Sequence, residues 1–420
     1  MPSLFASHSR FYFFSLLCLM VALLASCDSR PPPKRLYSSP EVYQSVLLNK
    51  SEAEVVDEDA PPAKVPDDGK IKVALLIPLT GGSTGLGDVM LNAAELALFD
   101  IGDPNIEVLP FDTQGTAYGA KVAVTEAIKN NVKLILGPIY SEEAEAAAPI
   151  AARAGVNIIA FSNNRKLTEK GVFLLGFMPE QQIERVLEFA RGQSMEHYSA
   201  LVTDDEFGYV TLDAFKRTLG RHAIAPSTIG FYDAVGKTLS TELKEVDKSA
   251  AVTKNMTKPD TAKTHALLVP EGGRNAMTIA ARLYRHGTKT GHVRLLGSGQ
   301  WDDELLLEEP KLNGSWFATS PPKQRELFES HFKEVYGFNP IRIASLAYDG
   351  IALAALLAQN DDFSKSALLS PRGFSGVNGV FRFNKDGSSE RALAIIEIRG
   401  KQFEEIDPAP STFERNDFGF

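Results

Sequence analysis

Cysteine is nearly absent: the 420 residues hold two, Cys18 and Cys27. Cys18 lies in a segment that reads as a removable leader, so a mature chain would keep Cys27 alone, and no internal disulfide could hold the fold. Stability must then come from core burial. No apolar run reaches the roughly 17–25 residues of a spanning helix; Phe11 to Ala25 and Ile351 to Ala358 are both shorter. Basic charge is not in excess: the net charge is −9 and the pI near 5.4, which excludes the basic face that nucleic acid requires. No histidine pair stands at i, i+4, His286 and His292 are the nearest pair, and no Cys cluster or H-E-x-x-H occurs, so no metal is expected. The loop "LTGGSTGLGD" has the glycine spacing of a phosphate loop from Gly82 to Gly87, but Asp88 stands where lysine should attract phosphate. "GFSGV" at Gly373 lacks the last glycine of a nucleophile elbow. The sequence predicts a non-enzymatic protein without cofactors.

What is present begins with an address. Arg10, the short apolar run and the small residues Ala25 and Ser26 form a secretory pattern, and Leu-Ala-Ser-Cys ending at Cys27 is similar to the bacterial lipobox. That resemblance implies lipid on Cys27 and a membrane anchor, since two or three acyl chains hold stably where one does not. Residues 1–26 are expected to be a lipoprotein signal peptide. Residues 27–69 follow as the lipidated cysteine and an acidic, proline-rich tether, poor in the apolar bulk that would offset chain entropy. Fully extended, forty residues at ~3.3 Å each reach on the order of 140 Å. A short helix is expected near Ser39–Leu47, with Pro40 in its first turn.

From Lys70 the pattern changes to short apolar runs alternating with amphipathic helices. "IKVALLI", "IEVLPF", "LILG" and "NIIAF" read as four buried strands, with helices predicted over Leu86–Phe99 and Ala117–Ile128. Ser141 is expected to cap a further helix, with Glu142 and Glu143 favouring its positive start. Continuous apolar strands linked by helices define parallel sheets covered on both faces. After Pro179 the pattern restarts with "SALVT", "TIGFY", "HALLVP" and "VRLLG", and the weakly apolar stretch Gly236–Lys263 reads as a surface excursion. Helices over Lys323–Tyr336 and Ile343–Gln359 precede a hairpin turning at "NKDG" or "DGSS". The fold class is therefore α/β, with two Rossmann-like lobes of parallel strands joined by a hinge. Lobe 1 is expected to comprise 70–179 and 322–372, lobe 2 180–321 and 373–405, with 406–420 as a tail.

Several stretches carry a resemblance: "VALLIPLTGGSTGLGDVMLNAAELAL", "LILGPIYSEEAEAAAPIAARAGVNIIAFSNN", "FGYVTLDAF" and "GVNGVFRFNKDG". In this order they resemble the type I periplasmic binding proteins, the leucine/isoleucine/valine-binding family, from about Lys70 to Arg399. The resemblance implies a ligand carboxylate held by Tyr140, Ser141, Ser162 and Asn163, in the loops after the third and fourth strands. Ser141 could equally be a helix cap and nothing more. From the opposite lobe it implies Phe207, Glu271 and the "GSGQWDD" loop with Trp301. Where amino-acid binders place an acid for the ammonium group, this chain has Gln300 and Trp301, with Asp302 just beyond. "VFLLGFMPEQQIERVLEFA" and "LLGSGQWDD" look like the branch of penicillin-binding protein activators, lipoproteins that stimulate a peptidoglycan synthase. The sequence reading therefore leans to an activator, with a solute receptor for an amino acid or small amide, serving an ABC permease, as the alternative. In either role the protein is expected in the periplasm, anchored to the inner or outer membrane. An activator could fill its cleft with its own Trp301 and Phe207 and use an outer surface such as Gly236–Lys263.

Overall fold

The computed structural model describes residues 69–103, 105–233, 239–256, 265–285 and 293–413. The expected leader, Cys27, the tether, the Ser39–Leu47 helix, His286, His292 and residues 414–420 lie outside the described residues.

The first lobe opens with β1 (Ile71–Ile77), α1 (Thr84–Ile101), β2 (Ile106–Asp112), α2 (Ala117–Lys129), β3 (Leu134–Leu136), α3 (Ser141–Ala154), β4 (Asn157–Ala160) and β5 (Phe173–Leu174). The five strands lie parallel in the order β2-β1-β3-β4-β5. β1 is buried from Val73 onward because both sheet faces are covered. Side chains alternate across a strand, so Val73, Leu75 and Ile77 enter one core, while Ala74 and Leu76 enter another with α2 and α3.

The second lobe follows with α4 (Pro179–Gly192), β6 (His197–Thr203), α5 (Glu206–Arg221), β7 (Thr228–Tyr232), α6 (Leu239–Met256), β8 (His265–Leu268), α7 (Gly273–Arg285), β9 (Val293–Gly297) and β10 (Trp316–Thr319). The chain returns to the first lobe with α8 (Pro322–Tyr336), α9 (Ala344–Ala358), the short α10 (Lys365–Leu368), β11 (Phe374–Gly376), β12 (Gly379–Phe383) and β13 (Ser389–Arg391). It ends on the second with β14 (Ala394–Arg399) and β15 (Gln402–Asp407). The second sheet runs β15-β14-β10-β9-β8-β6-β7, with β14 and β15 antiparallel. The chain thus passes between lobes at 175–179, 320–321 and 392–393.

Two expectations change here. The stretch Gly236–Lys263 is not only a surface excursion: it contains α6, whose Leu239, Leu243 and Val246 fall on one helical face and are buried in the second core. The hairpin also divides differently. Phe374, Phe381 and Phe383 pack with the first lobe's core, so 374–391 belongs with that lobe, and the return to the second sheet comes only at Ala392. The "NKDG" turn does lie between β12 and β13, where Asn384 N–H donates to the Ser388 carbonyl at 2.7 Å.

One buried site gives the fold a pH signature. His265 is fully buried on β8, with Nε2 3.0 Å from Ser199 Oγ and its ring stacked 6.3 Å from His197. Burial, reinforced by His197, pushes its imidazole down to about 4. Between pH 6.5 and about 4 the unfolded chain therefore binds the extra proton, and stability falls as pH falls, by about 1 kcal/mol per pH unit for this group. Chemical unfolding at pH 6.5 and 5.5 should show His265→Gln losing less stability over that interval than the parent. Equal losses would refute the assignment.

Candidate functional site

In parallel α/β sheets, ligands lie at the carboxyl ends of the strands. β3 ends at Gly137 and Pro138, joined by a cis peptide, and Gly137 has φ +88°. A side chain there would collide with the Leu76 carbonyl, so the loop lies hard against β1 before turning into α3. The expected cap is corrected. Tyr140 takes the cap position, its N–H donating to Glu143 Oε2 at 3.3 Å, and Ser141 is the first helical residue. The Ser141 hydroxyl turns instead to Ser162, with the two oxygens 3.1 Å apart. Glu143 is almost fully buried beneath this start, and burial pushes its carboxyl up.

β4 continues into Phe161, Ser162 and Asn163. Ser162 Oγ accepts from Asn164 N–H at 3.2 Å, and Asn163 Nδ2 donates to the Phe177 carbonyl at 3.3 Å. The crossover backbone is pressed against this loop: a side chain at Gly176 would collide with Ser162 and Asn163. Tyr140, 38% exposed, donates its hydroxyl to Ser83 Oγ at 2.8 Å. Tyr140, Ser141, Ser162 and Asn163 therefore line one open cavity of about 400 Å³, together with Ile139, Phe161 and Phe177 and with Arg342, Ile343 and Leu346 from the entry to α9.

The residues expected from the other lobe are placed differently. Glu271 follows β8 and is largely buried; it accepts from Thr203 N–H at 3.3 Å and from the Thr203 and Tyr232 hydroxyls. Burial, then the Glu271 charge, raises the Tyr232 phenol. Phe207 is partly exposed in the first turn of α5. Trp301 does not line the cavity: it is fully buried in the second lobe's core, and its Nε1 donates to the Glu271 carbonyl at 2.8 Å. Its indole packs on Gly297, where any Cβ would overlap the ring.

Arg342 lines the cavity and was not singled out in the sequence. Its guanidinium lies 4.8 Å from the centre of the Phe177 ring. Its two terminal nitrogens donate to Asp302 Oδ2 at 2.7 Å and Thr319 Oγ1 at 2.6 Å, so a first-lobe residue is held by the second lobe. Asp302 also pairs with Arg325 of α8 and accepts from Thr319 at 2.8 Å. Burial would raise its carboxyl, but Arg342 and Arg325 outweigh that and hold it below the usual carboxylate range. Lys166 and Glu206 add an exposed pair between the lobes at 3.5 Å, worth under about 1 kcal/mol.

A larger groove of about 900 Å³ opens at the other ends of the first sheet's strands, among Lys133, Val156, Lys170 and Phe363. None of the expected site residues lines it. The smaller cavity is lined by residues that carry hydroxyl, amide and guanidinium groups around an apolar space, which is the composition of a small-molecule site. Among the described residues no group of His, Cys, Asp and Glu is placed to hold a metal, and no helix is long and apolar enough to cross a membrane.

Two α/β lobes, three crossovers and a donor-lined cavity at the strand ends define a class of two-lobe small-molecule binding proteins. The chain belongs to the periplasmic binding protein family, whose model matches residues 70–402. This family is non-enzymatic. The fold is of the type seen in leucine-binding proteins. A protein assigned to branched-chain amino acid ABC transport in Rhodospirillum rubrum is 17% identical, with a TM-score of 0.72 over 80% of this chain and 100% of its own. A solute-binding protein of an ABC transporter from Rhodopseudomonas palustris, solved with 3,4-dihydroxybenzoic acid, is 21% identical, with a TM-score of 0.58 over 81% of this chain and 97% of its own. An uncharacterized protein of Rickettsia prowazekii is 21% identical over 334 residues, 78% of this chain and 86% of its own. At these identities the structural likenesses establish the fold alone.

Proposed function

We propose that the protein is a solute-binding receptor that captures a small carboxylate-bearing molecule and presents it to an ABC-type permease. The observation that carries this reading is the cavity of about 400 Å³ at the strand ends, lined by Ser141, Ser162, Asn163 and Arg342. Its size suits a ligand of amino-acid or aromatic-acid dimensions. The structural relatives include an amino-acid transport protein and a protein binding an aromatic acid, which supports the same reading. Closure of the two lobes about the three crossovers would bury the ligand, as hinge receptors do. Lipid on Cys27 would hold the receptor at the membrane beside its permease, with the body in the periplasm.

An activator could keep its cleft filled by its own Trp301 and Phe207; Trp301 is instead turned into the second lobe's core, which supports the receptor. The test is a melting curve of the full chain against a panel of amino acids, small amides and aromatic acids, each at about a millimolar. A ligand at roughly a thousand times its dissociation constant adds about 4 kcal/mol, enough to raise the midpoint by several degrees. No shift across the panel would overturn the receptor and turn the search to a peptidoglycan synthase.

A further inference from the structure

We infer that Arg342 determines which solutes the cavity accepts: apolar or aromatic carboxylates that lack an ammonium group. This rests on the receptor reading and narrows it. The cavity is built from apolar walls (Ile139, Phe161, Phe177, Ile343, Leu346), the donors of Ser141, Ser162 and Asn163, and one formal charge, the Arg342 guanidinium. No aspartate or glutamate lines it.

The nearby carboxylates are already engaged. Asp302 is shared by Arg325, Arg342 and Thr319, and Glu329 pairs with Arg325 at 3.4 Å. Two carboxylates thus balance two guanidiniums, but of the four only Arg342 reaches the cavity wall. Glu271 accepts from Thr203 and Tyr232 within its own lobe. A ligand ammonium in this space would find no unengaged carboxylate among the lining residues, and burying it beside the Arg342 guanidinium is unfavourable. A ligand carboxylate would meet a planar cation whose orientation Asp302, Thr319 and Phe177 have already set. The apolar walls then favour a hydrocarbon body.

Three compounds with one carbon skeleton separate the possibilities by calorimetric titration of the full chain: 4-methylpentanoate, its amide, and leucine, which is the same acid with an ammonium group. The carboxylate should bind at least tenfold more tightly than either of the others. Arg342→Gln should weaken the carboxylate at least tenfold while leaving the amide within about twofold, and Arg342→Lys should restore part of the loss. Should Arg342→Gln fail to fold, the carboxylate-to-amide ratio on the parent chain still decides, since a ratio near one overturns the inference. Tighter binding of leucine would also overturn it while leaving the receptor reading standing. If neither these compounds nor the wider panel binds, the receptor reading falls as well.

Discussion

Arg391→Leu is expected to cost about 3–5 kcal/mol of unfolding free energy at pH 7, because it strands a buried carboxylate. Arg391 on β13 and Asp349 on α9 are 3.5 Å apart, with side chains 4% and 0% exposed. Asp349 also accepts from Val377 N–H at 2.7 Å and Asn378 Nδ2 at 3.0 Å, and the backbone at Gly376 passes so close that a Cβ would strike the carboxylate. Burial holds the Asp349 carboxyl above its ordinary value even with Arg391 beside it, and removing the guanidinium raises it further. Since the folded state would then bind the proton more readily than the unfolded one, the variant should recover part of its loss as pH falls towards the raised value. Adding Asp349→Asn to Arg391→Leu removes the stranded charge and should restore much of the loss at pH 7, a non-additive result that a double-mutant cycle would read directly. A single-variant cost below about 1 kcal/mol would show that water reaches the pair.

The sheets were legible because their strands are buried on both faces and read as unbroken apolar runs. "IKVALLI" became β1 with every residue from Val73 inward, and helices at 3.6-residue spacing appeared within two or three residues of their predicted limits. β5 went unseen because two residues, Phe173 and Leu174, carry no period. α6 was obscured by its lysines and aspartate, although Leu239, Leu243 and Val246 keep helical spacing. In the site, Tyr140, Ser141, Ser162 and Asn163 came from the family resemblance, which places them in the loops after β3 and β4, and these strands were legible. Arg342 had no such marker, because Asp302 lies 40 residues away and their pairing is a property of how the lobes meet. Trp301 misled because the resemblance places its "GSGQWDD" loop at the site, while the direction of its side chain is set by packing. Gly297 instead leaves room for its indole in the core.

Asp302→Ala should be comparably damaging, and it tests how the lobes are joined. Asp302 follows β9 in the second lobe, with its side chain 5% exposed, while Arg325 and Arg342 reach it from α8 and the entry to α9 of the first. Truncation leaves two guanidiniums close together at a buried junction, with the partly exposed Glu329 pairing with Arg325. The expected loss is about 3–5 kcal/mol, the range for an uncompensated buried charge. Asp302→Asn should cost less, since an amide oxygen still accepts from Thr319 and one guanidinium. The pH dependence separates a charge effect from a packing effect. The folded state holds Asp302 ionised below its ordinary range, so its contribution is fully present above about pH 4 and fades as pH falls through the depressed value. Parent and Asp302→Ala should therefore converge in stability in strong acid if charge dominates. A gap that persists there would assign the loss to packing. Because the same carboxylate orients Arg342, a folded Asp302→Asn should also bind 4-methylpentanoate more weakly than the parent, linking the junction that joins the lobes to the cavity that Arg342 lines.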